Sequence, residues 1–176
     1  MYIRRERPVD RQVVHGVHAA AFRSDQQAGD PVEAGLAYEL RSTGAALPPL
    51  SLVAVIDGEV VGHVVCSRGW VGRDDSPDQP ALGLGPIGVV PGRQNRGIGQ
   101  ALMHAVLGAA DAIDEPLVAL LGEPGYYHRF GFEPSHRYDI APPDPGWGDY
   151  FQVRPLTAYD RGLRGTFRYA AAFAGL

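Results

Sequence analysis

The chain has 176 residues, 45% of them apolar, enough to bury one full core and too few for two ordinary domains, so residues 1–176 read as a single domain. A formal charge of −4 argues against a nucleic-acid binder, which usually carries a basic face, and no apolar run approaches the roughly 18 residues of a membrane-spanning helix. The single cysteine, Cys66, excludes an intrachain disulfide framework and a multi-cysteine zinc site, and its apolar setting suits an inert core residue, so no metal is expected.

Residues 1–5 read as a first strand, and no apolar stretch follows their charges as a secretory signal requires; the expectation is a cytoplasmic protein. Pro8 suits the first turn of a helix that carries Val13, Val14, Val17, Ala21 and Phe22 at helical spacing. Residues 31–42 repeat the signal, with Leu36 and Leu40 four apart, until Gly44 and the Pro48-Pro49 pair break it. Residues 50–56 and 59–66 are β-branched-rich runs separated only by Asp57-Gly58, a pair suited to the positive φ angles of a two-residue hairpin turn. Residues 73–80 read as a polar, proline-bearing connection, and 81–90 as a buried strand with glycines at 83, 85 and 88.

Residues 97–110 place Ile98, Leu102, Ala105, Val106 and Ala109 on one helical face, and 117–121 form a short buried strand. Strand, helix and strand in that order imply a parallel, right-handed crossover. Residues 141–148 hold three prolines and two glycines and read as a surface loop or lid, followed by final strands at 151–156 and 166–169.

The chemistry concentrates at residues 87–102, where a strand passes through a glycine-bearing turn straight into a helix. Such a junction aims free backbone N–H groups and the positive end of the helix dipole at one spot, which favours an anion. Gly97 and Gly99 let a phosphate approach the backbone, and Arg93 and Arg96 add charge, so the natural occupant is a pyrophosphate. A Walker loop is excluded, because Gly97 is followed by Ile98-Gly99-Gln100 rather than by Lys and Ser/Thr. Gly83, Gly85 and Gly88 satisfy the Rossmann glycine spacing, but Pro86 lies inside it and the segment is a strand, so that match is accidental.

Gln94-Asn95-Arg96-Gly97-Ile98-Gly99 resembles the Q/R-x-x-G-x-G/A signature of the GNAT acetyltransferases, and residues 125–132 resemble the family's Tyr-x-x-x-Gly-Phe element after the next strand. The hairpin before these patches and the strand that ends the chain resemble the small-molecule, YhbS-like branch, so the likeness covers nearly the whole sequence. It implies an α/β fold: a mixed, mostly antiparallel sheet with a central parallel pair and helices on both faces. It further implies acetyl-CoA as donor. Ile87, Gly88 and Val89 would offer backbone hydrogen bonds to the pantetheine arm, and Asn95, Arg96, Gly97, Ile98, Gly99 and Gln100 would hold the pyrophosphate. A freed N–H, that of Val89, would polarise the thioester carbonyl, and Tyr127 would protonate the departing thiolate.

Attack of an amine on a thioester builds an oxyanion, needs a neutral amine and expels a thiolate. The implied reaction is direct transfer to a primary amine of a small molecule or peptide by a monomer or homodimer, without membrane or nucleic-acid partner. A catalytically silent CoA-binding module and use of another acyl group are the alternatives. Candidates for the base are Glu33, Glu39, His63 and Glu123; His63 is favoured because it interrupts an apolar strand and its ordinary pKa suits proton traffic. Tyr127 has a second reading as a packed aromatic, and Trp147 and Tyr150 either wall the acceptor pocket or form a satellite core.

Overall fold

A computed structural model describes residues 1–24, 29–73 and 76–174. The chain opens with β1 (Tyr2–Arg5), a single 3-10 turn (Pro8–Asp10) and α1 (Arg11–Ala21). The Asp10 carboxylate takes the Arg4 guanidinium at 2.6 and 2.9 Å and the Arg7 N–H at 2.7 Å, which ties the helix entry back to β1. Then come α2 (Val32–Ser42), β2 (Ala46–Ile56) and β3 (Glu59–Arg73), with Asp57 and Gly58 at φ 52° and 85° turning the hairpin between the last two as the sequence predicts. β2 begins earlier than predicted and runs through Pro48-Pro49. Both prolines are exposed and lie in a register gap between Ala46 and Ser51, where no ladder N–H is required of them.

β4 (Ser76–Val89) pairs with β3 from Gly62↔Val89 to Arg73↔Ser76. The described part of 73–80, predicted as a connection, is therefore strand. Its polar residues are no obstacle, because an antiparallel ladder is held by backbone groups and one face can remain in water. α3 (Ile98–Asp111), β5 (Leu117–Leu121) and α4 (Pro124–Tyr127) follow, then two-residue strands β6 (Glu133–Pro134) and β7 (Ile140–Ala141), and finally β8 (Phe151–Pro155) and β9 (Gly165–Arg168). Part of the predicted loop at 141–148 is thus strand, because β7 lies parallel to β9.

The sheet order is β1-β2-β3-β4-β5-β8-β6, with β9 along the far end of β3 and β7 on β9; β4 and β5 are parallel. α3 packs one face through Leu102, Met103 and Val106, all fully buried; truncating one such leucine costs ~2–5 kcal/mol. On the other face α1 contributes Val14 to the core and α2 contributes Leu36, Ala37 and Leu40. A separate cluster of Leu117, Ala119, Phe151, Val153 and Phe167 forms beyond β4. Trp147 stacks there near Phe151 and Tyr169, while Tyr150 is exposed, so the satellite-core reading holds for the tryptophan.

β4 and β5 pair only at Leu82↔Val118 and Gly83↔Ala119. Immediately afterwards Leu84 opposes Cys66 and Ile87 opposes Val64, so Gly85 and Pro86 bulge against one residue of β3. A bulge bends its strand, and beyond Gly83 the two parallel strands part into a notch.

Candidate active site

The mouth of the notch is the start of α3. The first backbone bond of that helix runs from Ala101 N–H to Gly97 O at 2.9 Å, so the amides of Ile98, Gly99 and Gln100 have no intrahelical acceptor. Asn95 and Gly97, at φ 58° and 79°, coil the chain through the left-handed region into the helix. Gln94 Nε2 donates to Val89 O at 3.0 Å and fixes this loop to the end of β4. Among the described residues neither Arg93 nor Arg96 is in an ion pair, which leaves both charges available beside the free amides. The Tyr126 hydroxyl lies 3.2 Å from where a Cβ on Gly99 would sit. Asn95 to Gln100, the residues expected to hold the pyrophosphate, are therefore brought together at one point.

Along β4, Val90 N–H donates to Val61 O at 3.0 Å. By the alternation of an antiparallel ladder, Gly88 opposite His63 also turns its polar groups toward β3, whereas Ile87 and Val89 turn theirs into the notch. Gly88 acts differently from its neighbours. A Cβ on it would stand 2.9 Å from His18 Nδ1 and 3.1 Å from the Ala21 Cβ, so the missing side chain lets α1 lie against β4.

The opposite lip is built by Tyr127. Glu123 caps α4 by accepting the Gly125 N–H at 3.4 Å. The Tyr127 ring then lies over Gly122, directly after β5, edge-on to Tyr126 and Phe132 at centroid distances of 5.0 and 6.0 Å. Burial, with Tyr126 adding to it, pushes its phenol up to about 12, so it is protonated throughout the neutral range. The ring packs as core, and among the described residues nothing hydrogen-bonds its hydroxyl.

The predicted base candidates separate widely. Glu39 and Glu123 are exposed, Glu33 is half-buried in the first turn of α2, and Cys66 is sealed in the core, where burial pushes its thiol up. His63 has no exposed surface, and both its nitrogens are engaged. Nε2 lies 3.0 Å from Ser51 Oγ and 3.5 Å from Glu6 Oε2, and Nδ1 lies 2.8 Å from His18 Nε2. It therefore does not open onto the notch itself. Burial pushes His63 down and Glu6 opposes this, while His18 is driven down to about 2 by burial and by the positive charge of its neighbours.

Behind His63, Glu6 accepts Ser51 Oγ–H at 2.5 Å and pairs with Arg41 at 2.6 and 3.0 Å. Burial works against its ionisation, but the bonds from His63 and Ser51 and the attraction of the His63 and Arg41 side chains outweigh it and hold the carboxyl at about 2. Sequence reasoning found His63 and missed Glu6, Ser51, Arg41 and His18. The one available signal was His18, a histidine four residues after the buried Val14 on the same helical face.

Residues 19–132, from α1 to the end of the Tyr127 patch, match the Acetyltransferase (GNAT) family. The chain belongs to the GNAT family. It is 32% identical over 166 residues to the uncharacterized N-acetyltransferase YhbS of Escherichia coli K12, covering 94% of this chain and 92% of that one. The crystal structure of Escherichia coli YhbS in complex with CoA superposes with a TM-score of 0.84 at 30% identity, over 98% of this chain and 91% of the other. A GNAT acetyltransferase from Brucella melitensis in complex with acetyl-CoA gives 0.78 at 33% identity, over 98% and 97%. GNAT membership makes this protein an acyltransferase and accounts for the mixed sheet with its parallel β4–β5 pair.

Proposed function

We propose that this GNAT protein transfers the acetyl group of acetyl-CoA directly to a primary amine of a small molecule or peptide in a ternary complex. The observation that supports this most strongly is the parting of β4 and β5 beneath three helix amides that lack acceptors. Amides from Asn95 to Gln100 hold the diphosphate, and those of Ile87 and Val89 face the pantetheine arm. Acetyl-CoA supplies the activated thioester. Val89 N–H polarises its carbonyl, and Tyr127 donates a proton to the leaving sulfur.

Holding amine and thioester together contributes ~7–11 kcal/mol, one oxyanion donor ~3–4 kcal/mol and a positioned acid ~10²–10⁴-fold in rate, so positioning is the largest effect. Calorimetry with CoA, followed by thiol release against a set of primary amines, tests the reading. The wild type is expected to bind and to turn over, and Tyr127→Phe to lose ~10²-fold or more in kcat with CoA affinity changed by less than ~2-fold. Absence of CoA uptake sinks the proposal. Uptake without transfer to any amine reassigns the protein as a CoA-binding module.

A further inference from the structure

The acceptor amine must lose a proton, and the structure supplies a base that the sequence did not suggest. We propose that His18 is the general base of the acetyl transfer, its Nδ1 taking the proton from the amine, with His63, Ser51 and Glu6 as positioning residues that fix its tautomer and relay the charge. This rests on the acetyl-transfer reading above and adds a residue to it.

The direction of every hydrogen in the chain follows from Glu6. Paired with Arg41, it is a carboxylate, so at 2.5 Å Ser51 Oγ must donate to it. The serine oxygen then accepts from His63 Nε2–H at 3.0 Å, which leaves His63 Nδ1 as an acceptor. At 2.8 Å from it, His18 Nε2 must carry a hydrogen, and His18 Nδ1 is therefore a bare lone pair.

Among the described residues, three buried side-chain polar atoms lack a hydrogen bond: Glu6 Oε1, Arg41 Nη2 and His18 Nδ1. The first two face each other as an ion pair at 2.6 Å, so only the histidine nitrogen has neither kind of partner. A buried acceptor left open requires an explanation, and its location offers one. It is enclosed against the backbone of Gly88, where no side chain intervenes, between Ile87 and Val89, which turn their amides into the notch.

The step balances as follows. The amine lone pair forms the C–N bond, and the nitrogen, acidified as it becomes cationic, passes its proton to His18 Nδ1. The C–S bond breaks with its electrons to sulfur, which takes the Tyr127 hydroxyl proton; solvent later returns one proton to Tyr127 and removes one from the imidazoles. Protonation of His18 Nδ1 releases Nε2–H to His63 Nδ1, and the positive charge comes to rest beside Glu6. Burial keeps both imidazoles neutral at rest, which leaves the lone pair free but weakly basic, and the Glu6 carboxylate, which pushes both imidazoles up, offsets this by holding the relayed charge. The charged and titratable groups bearing on the pair are His15 from α1, Arg41 from α2, and Glu6 and Asp10 from the segment between β1 and α1.

Long-range ¹⁵N–¹H correlation spectra of histidine-labelled protein read the tautomers without any acceptor. Both His18 and His63 are expected as Nε2–H forms, and Glu6→Gln is expected to scramble the His63 tautomer. With a diamine, an aminoglycoside, lysine and a free-N-terminus peptide as acceptors, His18→Ala should lose ~10²–10⁴-fold in kcat, keep its CoA affinity within ~2-fold and recover part of its rate with added imidazole. If His18→Ala does not fold, His18→Gln, which still donates to His63 but cannot take a proton, should show the same loss without the rescue. An Nδ1–H tautomer at His18, or a folded His18 variant within ~10-fold of wild-type turnover, overturns this inference alone. A wild type that acetylates none of the amines overturns the acetyl-transfer reading as well.

Discussion

Two glycines, Gly122 and Gly88, set the positions of the groups that matter on the two lips of the notch. A Cβ on Gly122 would come within 2.3 Å of the Tyr127 ring, so the ring must swing away in any larger residue. Its hydroxyl is placed by ring packing alone, because among the described residues it makes no hydrogen bond. Gly122→Ala is therefore expected to reproduce part of the kinetic loss of Tyr127→Phe, ~10-fold or more in kcat, while calorimetry shows CoA affinity changed by less than ~3-fold. Unchanged kcat in a folded Gly122→Ala protein contradicts the role of Tyr127 as donor. Tyr127 was legible from its motif, whereas Gly122 carried no sign of its importance, since the clash it avoids comes from a ring five residues later.

The decisive element is α3 and the turn that leads into it. Gly97 holds φ 79°, and a side chain there costs ~1–2 kcal/mol of backbone strain or forces the turn to unwind and re-aim its amides. Gly97→Ala should weaken CoA binding ~10-fold or more and lower the melting temperature by a few degrees, with kcat at saturating donor nearly preserved. Equal CoA affinities in the two proteins would mean that the helix mouth does not hold the diphosphate. α3, β5 and the β2–β3 hairpin were legible because apolar periodicity and an Asp-Gly turn mark them in the chain itself. The outer half of the β3–β4 hairpin was not, since residues such as Arg73 and Gln79 are held by ladder pairing that needs no apolar side chain. β6 and β7 are only two residues long, too short for any period to register.

Across the whole molecule, the buried polar chain draws Arg41 from α2, Glu6 from the link after β1, Ser51 from β2, His63 from β3 and His18 from α1. No spacing in the sequence joins them; only the antiparallel stacking of β2 and β3 with two helices laid across them does. The same chain makes the fold sensitive to acid, and the sign is definite. His18 falls from an ordinary 6.5 to about 2 and Glu6 from 4.5 to about 2 on folding, so the unfolded chain binds more protons and stability drops as pH falls. Between pH 6.5 and 4.5 the loss comes from the imidazoles, at ~1.4 kcal/mol per pH unit for His18, and His63 acts in the same direction. Below 4.5 Glu6 adds its own share. Two pH units thus remove ~3 kcal/mol through His18 alone, a large part of an ordinary domain's 5–15 kcal/mol. Urea unfolding at pH 7, 6 and 5 should show a slope shallower by about one proton in His18→Gln than in the wild type, and Glu6→Gln should flatten the curve only below pH 4.5. Parallel curves for wild type and His18→Gln would show that His18 is not held neutral in the folded protein, and its lone pair would then be unavailable to an amine.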